Sequence, residues 1–220
     1  MTLETDLNAI TEAVQQQAPP DIFATMEAAT AKLAASGLGS HALNVGQSMP
    51  DFELPDATHT LRRSADLRAD GLLLITFYRG HWCPYCNVAL QALQARLDEI
   101  ESYGATLVAI SPQTPDQSLT TQQKQALKFP VLSDLGNQVA RQFGLVFTLD
   151  EQLLPIYQAF GIDLELHNGD RTFELPIPAT YLIAADGTVL NAWFSVDYRE
   201  RLDPETAIHW LQQATSRLTP

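Results

Sequence analysis

The chain has 220 residues, 45% of them apolar, and a formal net charge of −13 at pH 7. This length and composition support one well-packed domain and argue against disorder, while the acidic balance excludes nucleic acid as a partner. No apolar run approaches the roughly 18 residues that cross a bilayer, and the acidic opening MTLETDLNAITEAV lacks the features of a secretory leader. A cytoplasmic protein without a membrane partner is therefore expected.

Leu3, Leu7, Ile10 and Val14 fall on one helical face and predict a helix over 3–16. Pro19 and Pro20 break it. Ile22, Phe23, Met26 and Leu33 predict a second helix that stops before Gly37 and Gly39. Residues 1–40 thus read as a helical extension. It either packs on the main domain, residues 41–220, or acts as a dimerisation arm. Residues 44–67 are extended and turn-rich, with a short strand at 58–61.

Residues 72–77 (LLLITF) lack polar alternation, the pattern of a central strand buried on both faces. Pro84 suits the first position of a helix, which places Cys83 at its N-cap. That helix continues to Glu101, with Val88, Leu90, Leu93 and Leu97 facing the sheet and Gly104 at its stop. A second buried strand follows at 106–110, and Thr114, Pro115, Asp116 and Gln117 have the form of a capping box opening a helix to Leu127. A third strand is expected at 129–132, then a helix from Asp134 to about Gly144. Pro155, Gly161 and Gly169 interrupt 145–175, which reads as a long insertion holding one short helix near 151–160. Residues 180–184 and 189–194 flank Asp186 and Gly187, a hairpin signal. Asp203 and Pro204 open the last helix, with Ala207, Leu211, Ala214 and Leu218 on one face. This order gives an α/β fold with a mixed central sheet flanked by helices.

The chain's two cysteines, Cys83 and Cys86, lie in the stretch RGHWCPYC at 79–86, between the central strand and its helix. A bond between cysteines three apart closes almost no loop, so their value is chemical. The thiolate is the reactive form, and a helix N-terminus favours it. Cys83 sits where that effect is largest, and Cys86 lies one turn in, within reach. A CxxC near a strand-helix unit is a redox signal, sharpened here by Trp82 before it and Pro84 and Tyr85 within it. A zinc site using His81 as third ligand lacks a fourth, and there is no second CxxC. An inert buried pair sits badly with a helix start. Arg79 either lowers a thiol pKa by its charge or is a solvated arginine at a strand end. His81 can exchange protons near neutral pH or is a passive loop histidine.

With these elements in place the chain resembles the thioredoxin superfamily. More closely, over about residues 44–213, it resembles the alkyl hydroperoxide reductase and thiol-specific antioxidant family, the peroxiredoxins and their relatives. VGQSMPDFELPD, KFPVLSDLGNQVARQFGL and YLIAADGTVLNAW carry that resemblance. It implies a thioredoxin fold, no cofactor, a homodimer, and re-reduction by thioredoxin, glutaredoxin or glutathione. The active site departs from the family pattern of a Pro, a Thr or Ser four residues on, and the reactive Cys three residues later. With Cys86 as that Cys, Cys83 stands at the Thr position and Arg79 at the Pro position. The family's late arginine falls on Pro178, which is also where thioredoxins keep a cis-proline beside their CxxC. The site itself is similar to thioredoxin and glutaredoxin.

Peroxide reduction through a Cys83/Cys86 dithiol-disulfide cycle is the first expectation. A disulfide reductase is the alternative, and a redox-dependent binding module without turnover is a third. Family position makes Cys86 the nucleophile. The helix N-terminus and a greater expected exposure favour Cys83, which is the preference taken from physical grounds. Arg199 and Arg201 resemble an arginine-rich stretch of peroxiredoxin-like relatives. They either reach the site or, as expected here, pair with acids such as Asp203 and Glu205.

Overall fold

A computed structural model describes residues 2–218, with side chains through Ser216. Helices α1 (Leu3–Gln17) and α2 (Pro20–Ala35) come first, separated by the two prolines. Strands β1 (Glu53–Pro55) and β2 (Leu61–Arg63) pair antiparallel and lead into the single turn α3 (Ser64–Leu67). Then follow β3 (Leu72–Phe77), α4 (Pro84–Gln94), α5 (Leu97–Ser102), β4 (Ala105–Ser111), α6 (Pro115–Lys124), β5 (Val131–Ser133) and α7 (Gln138–Gln142). The insertion holds β6 (Val146–Thr148), α8 (Leu154–Ala159), α9 (Leu164–Asn168) and β7 (Glu174–Pro176). Strands β8 (Ala179–Ile183) and β9 (Val189–Phe194) and helix α10 (Pro204–Leu218) close the chain.

The main sheet has the order β5-β4-β3-β8-β9. β3, β4 and β5 run parallel, and β8 and β9 are antiparallel additions. Every residue of β3 is buried, and its alternation separates two cores. Leu72 and Leu74 face a cluster built with Leu90, Leu93, Leu97, Ile100, Ile208 and Leu211. Leu73, Ile75 and Phe77 face Phe52, Leu54, Val139, Phe143 and Tyr181 on the other side. Each such side chain removed from water contributes about 1.5–3 kcal/mol, which fixes β3 and so the point where the CxxC loop begins.

Several expectations need correction. The helix drawn from 84 to 101 is two helices, because Ala95 and Arg96 leave the regular path and Arg96 turns to Glu99 and Glu205, 2.6 and 2.8 Å away. No capping box forms at Thr114, whose side chain makes no cap hydrogen bond. The strand placed at 58–61 lies at β2 instead, because Asp56 turns the chain by accepting the N–H groups of Thr58 and Thr60 at 2.8 and 3.0 Å. The segment after Asp134 starts as a 3-10 turn, since Gly136 and Asn137 are left-handed (φ +68° and +54°). Asp134 instead accepts the N–H groups of Val139 and Ala140 at 3.0 and 2.8 Å, one turn further on. The pairing of β6 with β7, which folds the insertion back on itself, was not anticipated: both strands are three residues long.

The N-terminal helices pack on this body. Leu3 and Leu7 of α1 join the first core, and Thr11 Oγ1 lies 3.2 Å from Tyr85 Oη in α4. Ile22, Met26 and Ala29 of α2 pack against Leu149, Leu153, Ile156 and Tyr157 of the insertion. The stripe on α10 shows Ala207, Leu211 and Ala214 buried; the side chain of Leu218 lies outside the described residues. Among the described residues no helix is long and apolar enough to cross a membrane.

Gly144 tests how the segment leading into the domain is seated. It has φ +72°, and a Cβ there would lie 2.0 Å from the His41 carbonyl oxygen. Gly144→Ala is expected to cost about 2–4 kcal/mol by urea denaturation, from strain plus overpacking. Gly161→Ala, at φ +74° with open space around it, should cost only about 1 kcal/mol. Equal losses would show that the 41–42 backbone is not held against Gly144.

Candidate active site

Three segments converge on the two sulfurs: the end of β3 with the following loop, the turn after β9, and the insertion. Cys83 is the N-cap of α4 and Pro84 its first residue. The Cys83 carbonyl accepts the N–H groups of Cys86 and Asn87 at 3.1 and 3.2 Å, which closes the first turn around both cysteines. Neither sulfur is open to solvent: Cys83 is 1% exposed and Cys86 is 0%. The exposure that favoured Cys83 as nucleophile is therefore absent, because Trp82, Tyr85 and the turn after β9 cover the helix start.

Arg79 is 3% exposed, not solvated at a strand end. Its guanidinium lies among three rings, 4.9 Å from Trp82, 5.8 Å from Tyr157 and 4.8 Å from Tyr198. One terminal nitrogen reaches Cys83 Sγ at 4.0 Å, the other donates to the Tyr157 hydroxyl, and Nε has no partner. Gly80 permits this arrangement: a Cβ there would lie 2.3 Å from the Trp82 indole nitrogen, so only glycine lets that ring lie over the chain.

Arg201 enters from the turn after β9. Its Nη1 donates to the carbonyls of Tyr198 and Glu200 at 2.7 and 2.5 Å. Held this way, its Nη2 lies 2.8 Å from Cys86 Sγ and 3.9 Å from Cys83 Sγ. The expected pairing with Asp203 and Glu205 does not occur. Glu205 is bound by Arg96 at 2.8 Å, and Asp203 Oδ1 accepts the Glu205 N–H at 2.8 Å. Arg199 takes the acids instead, binding Asp197 at 2.7 Å and Glu27 of α2.

These charges divide the two cysteines. Burial alone pushes both thiols up. At Cys86 it is outweighed by the hydrogen bond from Cys83, by Arg201 and Arg79, and by a backbone hydrogen bond at Arg79, which together hold it well below the ordinary thiol value. At Cys83 burial is reinforced by the hydrogen bond to Cys86 and its negative charge, so this thiol is raised well above it. The geometry supports that assignment, because the closest cation is on Cys86. The pair is a Cys86 thiolate accepting from a Cys83 thiol.

The remaining candidates differ in what they touch. Tyr85 packs edge-on against Tyr198 at 5.6 Å, and Pro84 is exposed at the helix start. His81 accepts from Gln113 Nε2 on Nδ1 at 2.8 Å, an assignment made from the hydrogen-bond network. Its ring stands edge-on to His167 at 4.8 Å. Burial first, then His167 and Lys124, push it down to about 4. It is neutral at pH 7, which favours the passive of the two readings given for it. Pro178 is buried, but its peptide bond is trans, as are all those described; the cis-proline expected from the thioredoxin resemblance is not there. Among the described residues no three His, Cys, Asp or Glu side chains are grouped to hold a metal.

Sequence reasoning missed Tyr157, which is buried, and Tyr198, which is half-buried, both beside Arg79. Tyr157 lies in the insertion, where no periodicity marks it. Tyr198 adjoins the arginine-rich run that was read, so its aromatic character beside two arginines was the available signal.

A profile of the AhpC/TSA family matches residues 45–192. Peroxiredoxin Bcp of Escherichia coli (strain K12) is 31% identical over 171 residues, covering 78% of this chain and 97% of that one. Among solved structures, peroxidoxin BcpB from Mycobacterium tuberculosis aligns with a TM-score of 0.61 at 25% identity, covering 78% of this chain and 97% of that one. AhpC of Enterococcus faecalis aligns with a TM-score of 0.61 at 18% identity, covering 79% and 94% respectively, a likeness of fold.

The charge division can be measured. Thiolate absorbance at 240 nm should show one equivalent at pH 7 in the reduced protein and in Cys83→Ser, and none in Cys86→Ser. Because the Cys86 value is depressed by folding, its stabilisation is complete above the unfolded thiol value near 9 and is lost as pH falls towards the folded value. Cys86→Ser should remove that pH dependence from the unfolding free energy.

Proposed function

The chain belongs to the AhpC/TSA family, and from that premise we propose that this thiol-dependent peroxidase uses Cys86 as its nucleophile and Cys83 as its resolving thiol. The observation that carries the assignment is Arg201 Nη2 at 2.8 Å from Cys86 Sγ. The Cys86 thiolate attacks the nearer peroxide oxygen, the O–O bond breaks, and the alkoxide or hydroxide leaving group takes a proton. Cys86 is now a sulfenic acid. Cys83, one turn away with its proton retained, attacks that sulfur; water leaves and the Cys83–Cys86 disulfide forms. Two electrons pass from the dithiol to the peroxide, and a thiol reductant returns them.

Two guanidiniums supply what the family motif lacks here. Charge develops on both peroxide oxygens as the O–O bond stretches, and preorganised donors aimed at it lower the barrier. Arg201 donates to Cys86 from outside the matched segment, and Arg79 adds its charge from the position where the family keeps a proline. Trp82 and Tyr85 exclude water around them, which strengthens both interactions. Disulfide reduction in the manner of thioredoxin has less support: Cys83 is buried, its thiol is raised, and the cis-proline is missing.

Stopped-flow oxidation by hydrogen peroxide, with trapping of sulfenic acid, tests the assignment. Cys83→Ser should accumulate sulfenic acid and Cys86→Ser should not react. Arg201→Met should slow the reaction by about 10²-fold, the size of losing one transition-state donor. Sulfenic acid on Cys83, or insulin reduction faster than peroxide oxidation, would reverse the reading.

A further inference from the structure

Arg201 has four acids within four positions of it in the chain, Asp197, Glu200, Asp203 and Glu205. Among the described residues it pairs with none of them and keeps Nη2 for Cys86 at 2.8 Å. Three of the acids are engaged elsewhere: Glu200 accepts from Ser195, Asp203 accepts a backbone N–H, and Glu205 is bound by Arg96. Asp197 differs, because the charge of Arg201 reaches it. Burial pushes the Asp197 carboxyl up, and the hydrogen bonds and charge of Arg199, joined by the charge of Arg201, hold it below the usual carboxylate range. Its side chain is 25% exposed, so its pull on a neighbouring guanidinium is weakly screened. What occupies Asp197 is a fork. Arg199 Nε donates to Oδ1 at 2.9 Å and Nη2 donates to Oδ2 at 2.7 Å, while the Arg199 N–H donates to Oδ1 at 3.0 Å. Such paired bonds are stronger and more specific in direction than a single contact. The remaining nitrogen, Nη1, donates to Glu27 of α2, which anchors the fork from outside the turn.

We propose that Arg199 is a positioning residue for the peroxidase: it occupies both oxygens of Asp197 and thereby keeps Arg201 on Cys86. The proposal rests on the reading that Cys86 is the reacting thiolate. Arg201 is placed to serve either anion. Its Nη1 is held by the carbonyls of Tyr198 and Glu200, one on each side of Arg199, so its guanidinium belongs to the same turn as Asp197. A carboxylate concentrates its charge on two small oxygens and accepts short, strong hydrogen bonds. An unoccupied Asp197 would therefore compete with the Cys86 sulfur for Arg201. Freed from Arg199, Asp197 draws Arg201 away and adds its own negative charge near the sulfurs, and both changes disfavour a thiolate. Glu27 precedes residues 45–192, and Asp197, Arg199 and Arg201 follow them, so the activation of Cys86 depends on chain from both sides of the family segment.

The test is the titration of the Cys86 thiol, followed as thiolate absorbance at 240 nm and taken each time as the difference from the same chain carrying Cys86→Ser. Arg199→Gln should raise the midpoint by about one pH unit or more and slow peroxide oxidation below it by about tenfold. Asp197→Asn in the same chain removes the competing charge and leaves an amide oxygen to accept the N–H of residue 199. The double variant should therefore return to the midpoint of the unaltered protein, a rescue that a role confined to holding the turn together does not produce. Arg171→Gln removes the same charge from an exposed pair with Glu165 and should shift nothing. If Arg199→Gln does not fold, Arg199→Lys serves: one ammonium does not reproduce the fork, and its smaller shift should be reversed by Asp197→Asn in the same way. An unmoved midpoint, a shift that Asp197→Asn does not reverse, or an equal shift in Arg171→Gln would overturn the proposal. A failed assignment of the nucleophile shows separately, as thiolate absorbance at pH 7 that Cys86→Ser does not remove.

Discussion

The arrangement on which the site depends is a pair of guanidiniums facing a pair of sulfurs with no carboxylate between them. In the turn, both oxygens of Asp197 are taken by Arg199, and Glu200 accepts from Ser195. Removing one partner of a buried charge pair costs about 3–5 kcal/mol, so Arg79 and Arg201 would be poorly tolerated beside two neutral thiols. One sulfur must ionise, and Arg201 selects Cys86 by distance. The helix N-terminus, the obvious activating feature in the sequence, is secondary. It favours charge near both residues and does not choose between them.

The scaffold explains why these charges stay in place. β3 is buried along its whole length and delivers Arg79 at its end, where three aromatic faces replace much of the lost hydration. Arg201 is held by its own turn: Ser195 Oγ donates to Glu200 at 2.8 Å, the Asp197 N–H donates back to Ser195 Oγ at 3.0 Å, and two carbonyls take Nη1. The N-terminal helices complete the enclosure. Arg199 ties the turn to Glu27 of α2, and Tyr85 is tied to α1 through Thr11.

The elements around β3 were legible because burial on both faces, a proline at N1 and an Asp-Gly turn are local signals. The CxxC was legible for the same reason. What escaped was non-local. Arg201 lies 115 positions from Cys86, and nothing in YRERLDPE distinguishes the arginine that reaches a sulfur from the one that binds Asp197. Tyr157 sits in an insertion whose short elements form only because β6 and β7 pair. The exposure expected of Cys83 is absent because it was inferred from position on a helix, whereas the turn after β9 and the aromatic rings decide it. Pro178 misled because a proline before a strand does not specify the isomer of its peptide bond.

Under the proposed cycle, the charges beside Cys86 also set how the oxidised protein behaves. Stabilising a thiolate stabilises the reduced state relative to the disulfide, by about 30 mV in potential for each factor of ten. The proposed cycle therefore pairs a ready nucleophile with a disulfide that is easily reduced, and one electrostatic feature serves both of its halves. The two arginines then differ in what they can do. Arg201 sits in a half-buried turn and can follow water once the thiolate is gone. Arg79 is enclosed by rings and cannot, so its charge persists in the oxidised protein.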